Sequence, residues 1–244
     1  MRLLRAGLFA LVYYGGSAAF SLTVGLAVAM LRPSRAMAVA RGWSVWMVRA
    51  AEIILGMRVV VSGVEHIPSG AALIASQHRS AFDTMIWFKL APQAAFVMKK
   101  ELFRIPVYGA IARHAGMVGV DREGGGTAMR AMITGARAAA AAGRQLVIFP
   151  EGTRVPAGAQ VPPQPGIVAL ATATGLAVIP VATDSGLVWG KGPFAKRPGV
   201  IHVAIGPPIP PGLRREALLA RLVQEWRVLE VQAGIADNAA GGAP

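Results

Sequence analysis

A histidine and an aspartate five residues apart, His78 and Asp83, are a pair of side chains that could do acid–base chemistry. They lie between a short apolar run with β-strand character (72–76) and a stretch with helical character. In an α/β sheet, the turn after a strand lies at the sheet edge where catalytic groups usually lie. A carboxylate there can fix the tautomer of the imidazole and stabilise the imidazolium that forms on proton removal. A purely structural role is also possible, because Ser80 and Asp83 have the spacing of a helix-capping pair, which would leave His78 in a solvated loop.

Cations that suit a phosphate group follow further strand-like runs. Lys99 and Lys100 come directly after one run, and Arg122 follows Asp121 at the end of another. A third run leads into Phe-Pro-Glu-Gly-Thr-Arg, in which the glycine lets backbone approach a ligand and Arg154 can bind phosphate bidentately. Each segment alone also fits a solvated basic turn, a glycine loop or a tight turn. Together they favour an anion site, because positions 78–154 hold 11 Lys and Arg against 5 Asp and Glu.

These segments need a sheet to bring them together, and the order of apolar runs predicts one. Short β-rich runs alternate with stretches of helical character over most of the chain. This alternation is typical of an α/β domain with a mixed, largely parallel sheet flanked by helices. The predicted strands are 57–62, 72–76, 95–98, 117–120, 145–149, 176–181 and 200–205, and the predicted helices are 81–90, 106–115, 127–142, 167–174 and 213–231.

The N-terminal part has the character of a membrane segment. Positions 6–31 carry no charge, and as a helix of ~1.5 Å rise per residue they could cross a hydrocarbon core of ~30 Å. More arginines follow this stretch than precede it, so a spanning helix would place the main domain in the cytoplasm. We predict an inner (cytoplasmic) membrane location with the catalytic domain facing the cytoplasm. The glycines at 15 and 16 would also allow a re-entrant or interfacial hairpin. The stretch could also be a cleaved signal peptide or a buried core helix.

The chain therefore divides into three predicted parts. Residues 1–56 form membrane-anchoring or interfacial helices, residues 57–232 form the α/β domain, and residues 233–244 form a flexible tail rich in Ala, Gly and Asn. Within the first part, residues 38–56 hold Trp43 and Trp46 among arginines, which fits either an interfacial helix or an ordinary domain helix.

Composition excludes several classes of protein. With 54% hydrophobic and 15% charged residues among 244, the chain is not intrinsically disordered. It has no cysteine, so disulfides, thiolate nucleophiles and cysteine-based metal sites are excluded. The formal charge of +13 predicts anionic partners, such as anionic membrane lipids or phosphorylated substrates. We do not expect a nucleic-acid partner, because the cations are dispersed and no aromatic stacking platform accompanies them.

Five short blocks occur in an order that resembles the PlsC-type 1-acyl-sn-glycerol-3-phosphate acyltransferases of the glycerolipid acyltransferase family. The resemblance covers roughly residues 59–211. The blocks are His78-x4-Asp83, Lys99-Lys100-Glu101-Leu102-x3-Pro106-x2-Gly109, Asp121-Arg122, Phe149-Pro150-Glu151-Gly152-Thr153-Arg154 and Val178-Ile179-Pro180-Val181-Ala182.

The resemblance implies a reaction and roles for these residues. An acyl group from acyl-CoA or acyl-acyl carrier protein would move to the 2-hydroxyl of lysophosphatidic acid, which gives phosphatidic acid without an acyl-enzyme. His78 would be the general base and Asp83 would orient it. The implied phosphate-binding residues are Glu151, Gly152, Thr153, Arg154, Arg122, Lys99 and Lys100. The resemblance implies no metal ion and no cofactor beyond the acyl donor as co-substrate.

Three further functions fit parts of the sequence. The same motifs fit an acyltransferase for another lyso-lipid, such as a lyso-ornithine lipid or another lysophospholipid. The charge alone fits a basic membrane-binding module without catalysis. A His/Asp-dependent lipid hydrolase is less well supported, because the sequence lacks a Gly-x-Ser-x-Gly elbow.

Overall fold

A seven-stranded sheet lies at the centre of the computed structural model, which describes residues 2–121, 124–156 and 159–235. Its strand order is β1-β7-β6-β2-β5-β3-β4. The strands are β1 (Met57–Ser62), β2 (Ala72–Ser76), β3 (Ala95–Lys99), β4 (Val118–Val120), β5 (Gln145–Ile148), β6 (Val178–Thr183) and β7 (Gly199–Ile205). The helices are α1 (Leu3–Leu31), α2 (Ala36–Leu55), α3 (Phe82–Leu90), α4 (Tyr108–His114), α5 (Gly125–Ala141), α6 (Gly166–Thr174), α7 (Ser185–Val188) and α8 (Arg215–Gln232).

The sheet is mixed. Strands β6, β2, β5, β3 and β4 are parallel to one another, whereas β7 pairs with β6 in the antiparallel direction. Because β1 is parallel to β7, both of these strands run opposite to the other five. The carboxyl ends of β2, β3, β5 and β6 therefore meet at one edge of the sheet. This architecture confirms the predicted α/β fold, and each predicted strand and helix is found within two residues of its expected bounds.

The central strands are apolar because both faces of the sheet are covered. All residues of β2, β5 and β6 are buried, as expected for parallel strands with helices on both sides. Successive side chains of β2 alternate between two cores. Ile74 packs with residues of α2 and α3, and Leu73 packs with residues of α5, α6 and α8.

The N-terminal helix α1 is continuous and apolar. It includes two π-helical turns, Leu11–Gly15 and Ser21–Gly25, and its glycines at 15 and 16 have helical φ values of −67° and −62°. The chain thus forms no hairpin at these glycines. In the described part of the chain, α1 is the one helix that is long and apolar enough to cross a membrane. At ~1.5 Å per residue, its length exceeds a hydrocarbon core of ~30 Å.

One side of α1 packs against the rest of the molecule. Phe9 is fully buried, with its ring 5.3 Å from that of Trp189. At Gly16 a Cβ would lie 3.0 Å from Trp46, and at Gly25 it would lie 2.9 Å from Val107, so both glycines permit close approach. Other positions of α1 expose large apolar side chains, among them Leu3, Leu4, Leu8, Leu11, Leu22, Met30 and Leu31.

Helix α2 belongs to the core of the molecule. Met47, Val48 and Leu55 are buried among residues of the sheet and α3, whereas Trp46 and Ile53 are exposed. The boundary at residue 56 stays a prediction, but the structure shows that residues on its two sides share one core. Most of the predicted tail, residues 236–244, lies outside the described residues.

Candidate active site

The turn that follows β2 holds the imidazole of His78 against the carboxylate of Asp83. The Nδ1 atom of His78 lies 3.1 Å from Asp83 Oδ2. The same oxygen accepts hydrogen bonds from the backbone N–H groups of Arg79 and Ser80, each at 2.7 Å. Asp83 therefore has both of the roles that its spacing allows, because it orders the helix-initiating turn and also contacts the histidine.

This geometry sets the tautomer of His78. An ionised carboxylate only accepts hydrogen bonds, so Nδ1 of the ring carries the proton and Nε2 has a free lone pair. The His78 ring stacks on Phe149, with ring centroids 4.1 Å apart and planes at 21°. With its ring held on one side by Phe149 and at Nδ1 by Asp83, His78 can accept a proton at Nε2 with little loss of orientation.

Ser185 supports Asp83 from a different element. Its hydroxyl, in the first turn of α7, donates to Asp83 Oδ1 and also lies 2.8 Å from the hydroxyl of Ser80. The preceding Asp184 accepts hydrogen bonds from the backbone N–H and the ring of His202 on β7, both at 2.7 Å. Sequence reasoning missed Ser185, because a serine downstream of a strand carries no signal until the fold brings it to the carboxylate.

Glu151 lies behind His78 and is almost fully buried. Its Oε2 accepts the backbone N–H of His78 at 2.7 Å, and its Oε1 lies 3.1 Å from the Arg79 guanidinium. Burial raises the pKa of Glu151 to about 7, although Arg79 and the His78 N–H act in the opposite direction. The sequence grouped Glu151 with the phosphate ligands, but its carboxylate is committed to the His78 backbone and the Arg79 side chain. We therefore treat it as a positioning residue.

Glu230 connects the C-terminal helix α8 to the residues around His78. Its Oε1 accepts a hydrogen bond from Gln77 Nε2 at 2.8 Å and lies 3.7 Å from the Arg79 guanidinium. The residues on both sides of His78 are thus tied to one carboxylate, 153 positions from Gln77 in the chain. We call the group behind the His78 ring the support network; its members are Gln77, Arg79, Asp83, Glu151, Ser185 and Glu230.

A cavity of about 770 Å³ opens in front of His78. Lys99, Thr153 and Arg154 line the cavity and are exposed, which places them at its mouth, and Gly152 lies beside them. The sequence predicted all four as phosphate ligands. Its remaining wall is mainly apolar and is contributed by α1, α2, α3, β3 and α4. Among the described residues that line the cavity there is no Asp or Glu. Such a cavity suits a ligand with an anionic head and an apolar chain.

Two of the predicted phosphate ligands in the described part of the chain, Lys100 and Glu151, do not line this cavity. Lys100 has a side chain that is 62% exposed and pairs with Asp121 at 3.6 Å. Arg122 lies outside the described residues, so its role stays a prediction.

A third cation at the cavity, Lys191, was missed by sequence reasoning. It lies in the loop after α7, which packs on α1 through Trp189. The ammonium group of Lys196 in the same loop lies 5.3 Å from the Trp189 ring and 5.9 Å from the Tyr13 ring, and burial lowers the pKa of this lysine. A lysine between two glycines looks like an ordinary surface turn, so no local signal could have marked Lys191.

Known proteins resemble this chain in the part that carries the site. A family model described as Acyltransferase matches residues 58–184, which is more than half of the chain. The chain belongs to the acyltransferase family. His78, Asp83, Lys99 and Phe149–Arg154 all lie within the matched region, whereas Lys191 and Glu230 lie beyond it. The resemblance seen in the sequence motifs is thereby confirmed.

Individual members of the acyltransferase family agree with this assignment. A 1-acyl-sn-glycerol-3-phosphate acyltransferase of Pseudomonas aeruginosa is 32% identical over 187 residues, which are 76% of this chain and 73% of that protein. One from Limnanthes douglasii is 34% identical over 158 residues, 64% of this chain and 56% of that protein. The crystal structure of PlsC, the 1-acyl-sn-glycerophosphate acyltransferase of Thermotoga maritima, superposes with a TM-score of 0.75 at 25% identity, covering 95% of this chain and 98% of that one.

Proposed function

We propose that this acyltransferase moves a fatty acyl group from an acyl thioester to the 2-hydroxyl of 1-acyl-sn-glycerol-3-phosphate, which gives phosphatidic acid for phospholipid biosynthesis. The observation that carries the proposal is the free Nε2 of His78 at a cavity with cations at its mouth and apolar walls beyond. This combination matches an acceptor that has a phosphate, an alcohol and an acyl chain.

The proposed reaction is a single transfer. His78 Nε2 removes the proton from the 2-hydroxyl as the oxygen attacks the carbonyl carbon of the thioester. The carbon–sulfur bond then breaks, and the thiol leaves with a proton from the imidazolium. Asp83 stabilises that imidazolium through Nδ1, at 3.1 Å. The ester forms directly on the acceptor, so the chain needs no acyl-enzyme, metal ion or cofactor for this step.

The phosphate is assigned to Arg154, Lys99 and Lys191, with Gly152 and Thr153 beside them. A guanidinium binds phosphate with two charge-assisted hydrogen bonds, and the absence of Asp and Glu from the described cavity lining leaves these cations unopposed there. The donor is proposed to be acyl-CoA or acyl-acyl carrier protein, whose chain would lie along the apolar wall.

Thiol release by the purified full-length chain tests the activity. The acceptors are lysophosphatidic acid, other lysophospholipids and lyso-ornithine lipid, each with acyl-CoA and with acyl-acyl carrier protein. We expect thiol release that depends on lysophosphatidic acid and is absent from the His78→Ala variant. Turnover of another lyso-lipid, but not of lysophosphatidic acid, would contradict the acceptor. No acyl transfer to any acceptor would leave the basic membrane-binding module as the better explanation.

We further propose that the protein binds an anionic inner membrane through α1, with its catalytic domain in the cytoplasm. The exposed apolar side chains of α1 and the formal charge of +13 support this proposal. Because the chain has no cysteine, Ser69→Cys adds a single exposed thiol. We expect a membrane-impermeant thiol reagent to label it in inverted membrane vesicles but not in intact cells. The opposite pattern would overturn the orientation.

A further inference from the structure

The loop after α7, residues 189–197, has a closed backbone. Its two ends pair with each other, because Trp189 and Lys196 form an antiparallel bridge. At Gly190 a Cβ would lie 2.6 Å from the carbonyl oxygen of Ala195, so the two arms approach too closely for a larger residue at that position. We call this segment the 189–197 loop.

Lys191 is the cation that the 189–197 loop brings to the cavity in front of His78. It lines the cavity and is exposed, which places it at the mouth. A glycine stands on each side of it, and Gly192 has a φ of +83°, in the left-handed region that favours glycine. Glycine loses more backbone freedom than other residues on ordering, so further contacts are needed to hold this turn in one position.

Lys196 supplies such contacts from inside the molecule. It is only 4% exposed, although lysines are rarely buried to this extent. Its ammonium donates a hydrogen bond to the carbonyl oxygen of Gly192 at 2.8 Å and lies 5.3 Å and 5.9 Å from the centres of the Trp189 and Tyr13 rings. Burial of an ammonium is costly, and a carbonyl and two ring faces offset part of that cost.

Tyr13 connects the 189–197 loop to α1 and to a second cation of the mouth. It lines the cavity, and its ring lies 5.8 Å from that of Trp189. Arg154 interacts with Tyr13 electrostatically. Lys191 and Arg154 are thus both associated with the same turn of α1, Lys191 through the loop and Arg154 directly.

We infer that Lys196 is a positioning residue for substrate binding, which fixes the 189–197 loop to Tyr13 and so holds the ammonium of Lys191 at the cavity mouth. This inference rests on the function proposed above, in which Lys191 and Arg154 bind the phosphate of the acceptor. Lys196 is not among the described residues that line the cavity, so it acts through Lys191 and not on the substrate itself.

A double-mutant cycle with Lys191→Ala, Lys196→Met and the double variant tests this inference. Methionine keeps an unbranched apolar side chain but has no ammonium. Thiol release gives kcat and KM for lysophosphatidic acid with each enzyme. Lys196→Arg keeps a cationic donor and should recover part of the loss. Lys89→Met, which changes an exposed lysine of α3 outside the cavity, is the matched control.

We expect Lys191→Ala and Lys196→Met each to raise KM by about fivefold to thirtyfold, the effect of one weakened charged contact, with a change in kcat below about twofold. Because Lys196 acts through Lys191, the double variant should have nearly the KM of Lys191→Ala alone. Additive effects would show that Lys196 acts independently of Lys191 and would overturn the inference. An unchanged KM in Lys196→Met, or a fall in kcat as large as the rise in KM, would also overturn it.

A binding measurement keeps this inference distinct from the proposed function. The rise in Tm on adding lysophosphatidic acid is compared with the rise caused by a monoacylglycerol of equal chain length, which lacks the phosphate. We expect Lys191→Ala and Lys196→Met to reduce only the rise caused by lysophosphatidic acid. This result in an enzyme that transfers no acyl group would contradict the proposed function and not the positioning role. Equal reductions with both ligands would show that the whole cavity is disturbed and would overturn the positioning role.

Discussion

The two sides of the His78 ring differ in how their polar groups are used. Behind the ring, the carboxylates of Asp83, Glu151 and Glu230 are all bonded to the turn that carries His78, and the last two come from distant parts of the chain. In front of it, the described cavity lining has cations and no Asp or Glu. The support network holds His78 in place, whereas the cavity leaves its cations for a ligand.

Substitutions behind the ring and substitutions at the cavity should therefore change different kinetic constants. A change behind the ring disturbs the orientation of the base and should lower kcat. A change at the cavity mouth removes binding that is present before the reaction and should raise KM.

Removing the base should have the largest effect. His78→Ala is expected to lower kcat by about 10²–10⁴-fold, because the acceptor hydroxyl then loses its proton without a positioned base. Thiol release measures the effect, with Tm and membrane association unchanged. His114→Ala, an exposed histidine outside both regions, is the control. Retention of more than a few per cent of the activity would show that another group takes the proton.

Removing a cation from the mouth of the cavity should weaken binding of the acceptor. Arg154→Ala is expected to raise the apparent KM for lysophosphatidic acid by about 10–100-fold with a smaller change in kcat, because a charge-assisted contact to phosphate is lost. Lys100→Ala is the matched control, since that side chain is exposed and does not line the cavity. If Lys100→Ala raised KM as much as Arg154→Ala, the assignment of the phosphate to the cavity mouth would be wrong.

Removing Glu230, the member of the support network farthest from His78 in the sequence, should lower kcat rather than raise KM. Glu230→Ala should lower kcat by about 5–30-fold and leave KM nearly unchanged, because Gln77 and Arg79 lose a shared charged partner. Glu230→Gln, which keeps an acceptor oxygen, should recover part of the loss. Glu216→Ala at the exposed start of α8 controls for the loss of a charge. An effect on KM alone would contradict a positioning role.

The smallest expected effect concerns stability and pH. The pKa of Glu151 is about 7 in the folded chain against an ordinary value of 4.5. Between pH 4.5 and pH 7 the folded state therefore binds more protons than the unfolded state. Stability should therefore fall as pH rises from 4.5 through 7 by about 1–3 kcal/mol. Glu151→Gln does not titrate, so its Tm relative to wild type should increase from pH 5 to pH 8. A constant difference in Tm would show that Glu151 does not titrate in this range.

The order of strands and helices could be predicted because local pattern encodes it. Runs such as 72–76 and 145–149 are rich in apolar and β-branched residues and stand between turn-forming segments. The direction of β1 and β7 could not be predicted, because it depends on how β7 is placed between β1 and β6.

The candidate site was predicted where its residues belong to compact motifs. His78, Asp83, Lys99 and Arg154 occur in such motifs. Three of them line the cavity, and Asp83 contacts the ring of His78. Ser185, Lys191 and Glu230 are single polar residues without a local pattern. Their relation to the site depends on contacts between distant parts of the chain, which local spacing does not reveal.

The close contacts of Gly16 with Trp46 and of Gly25 with Val107 have a practical consequence for handling this enzyme. They hold α1 in place as one wall of the cavity in front of His78. A shortened protein without its first 31 residues would keep the His78–Asp83 pair but would open that cavity to water. Removing this helix to ease purification should therefore weaken substrate binding, and it should also lower stability, because Phe9 would no longer cover Trp189.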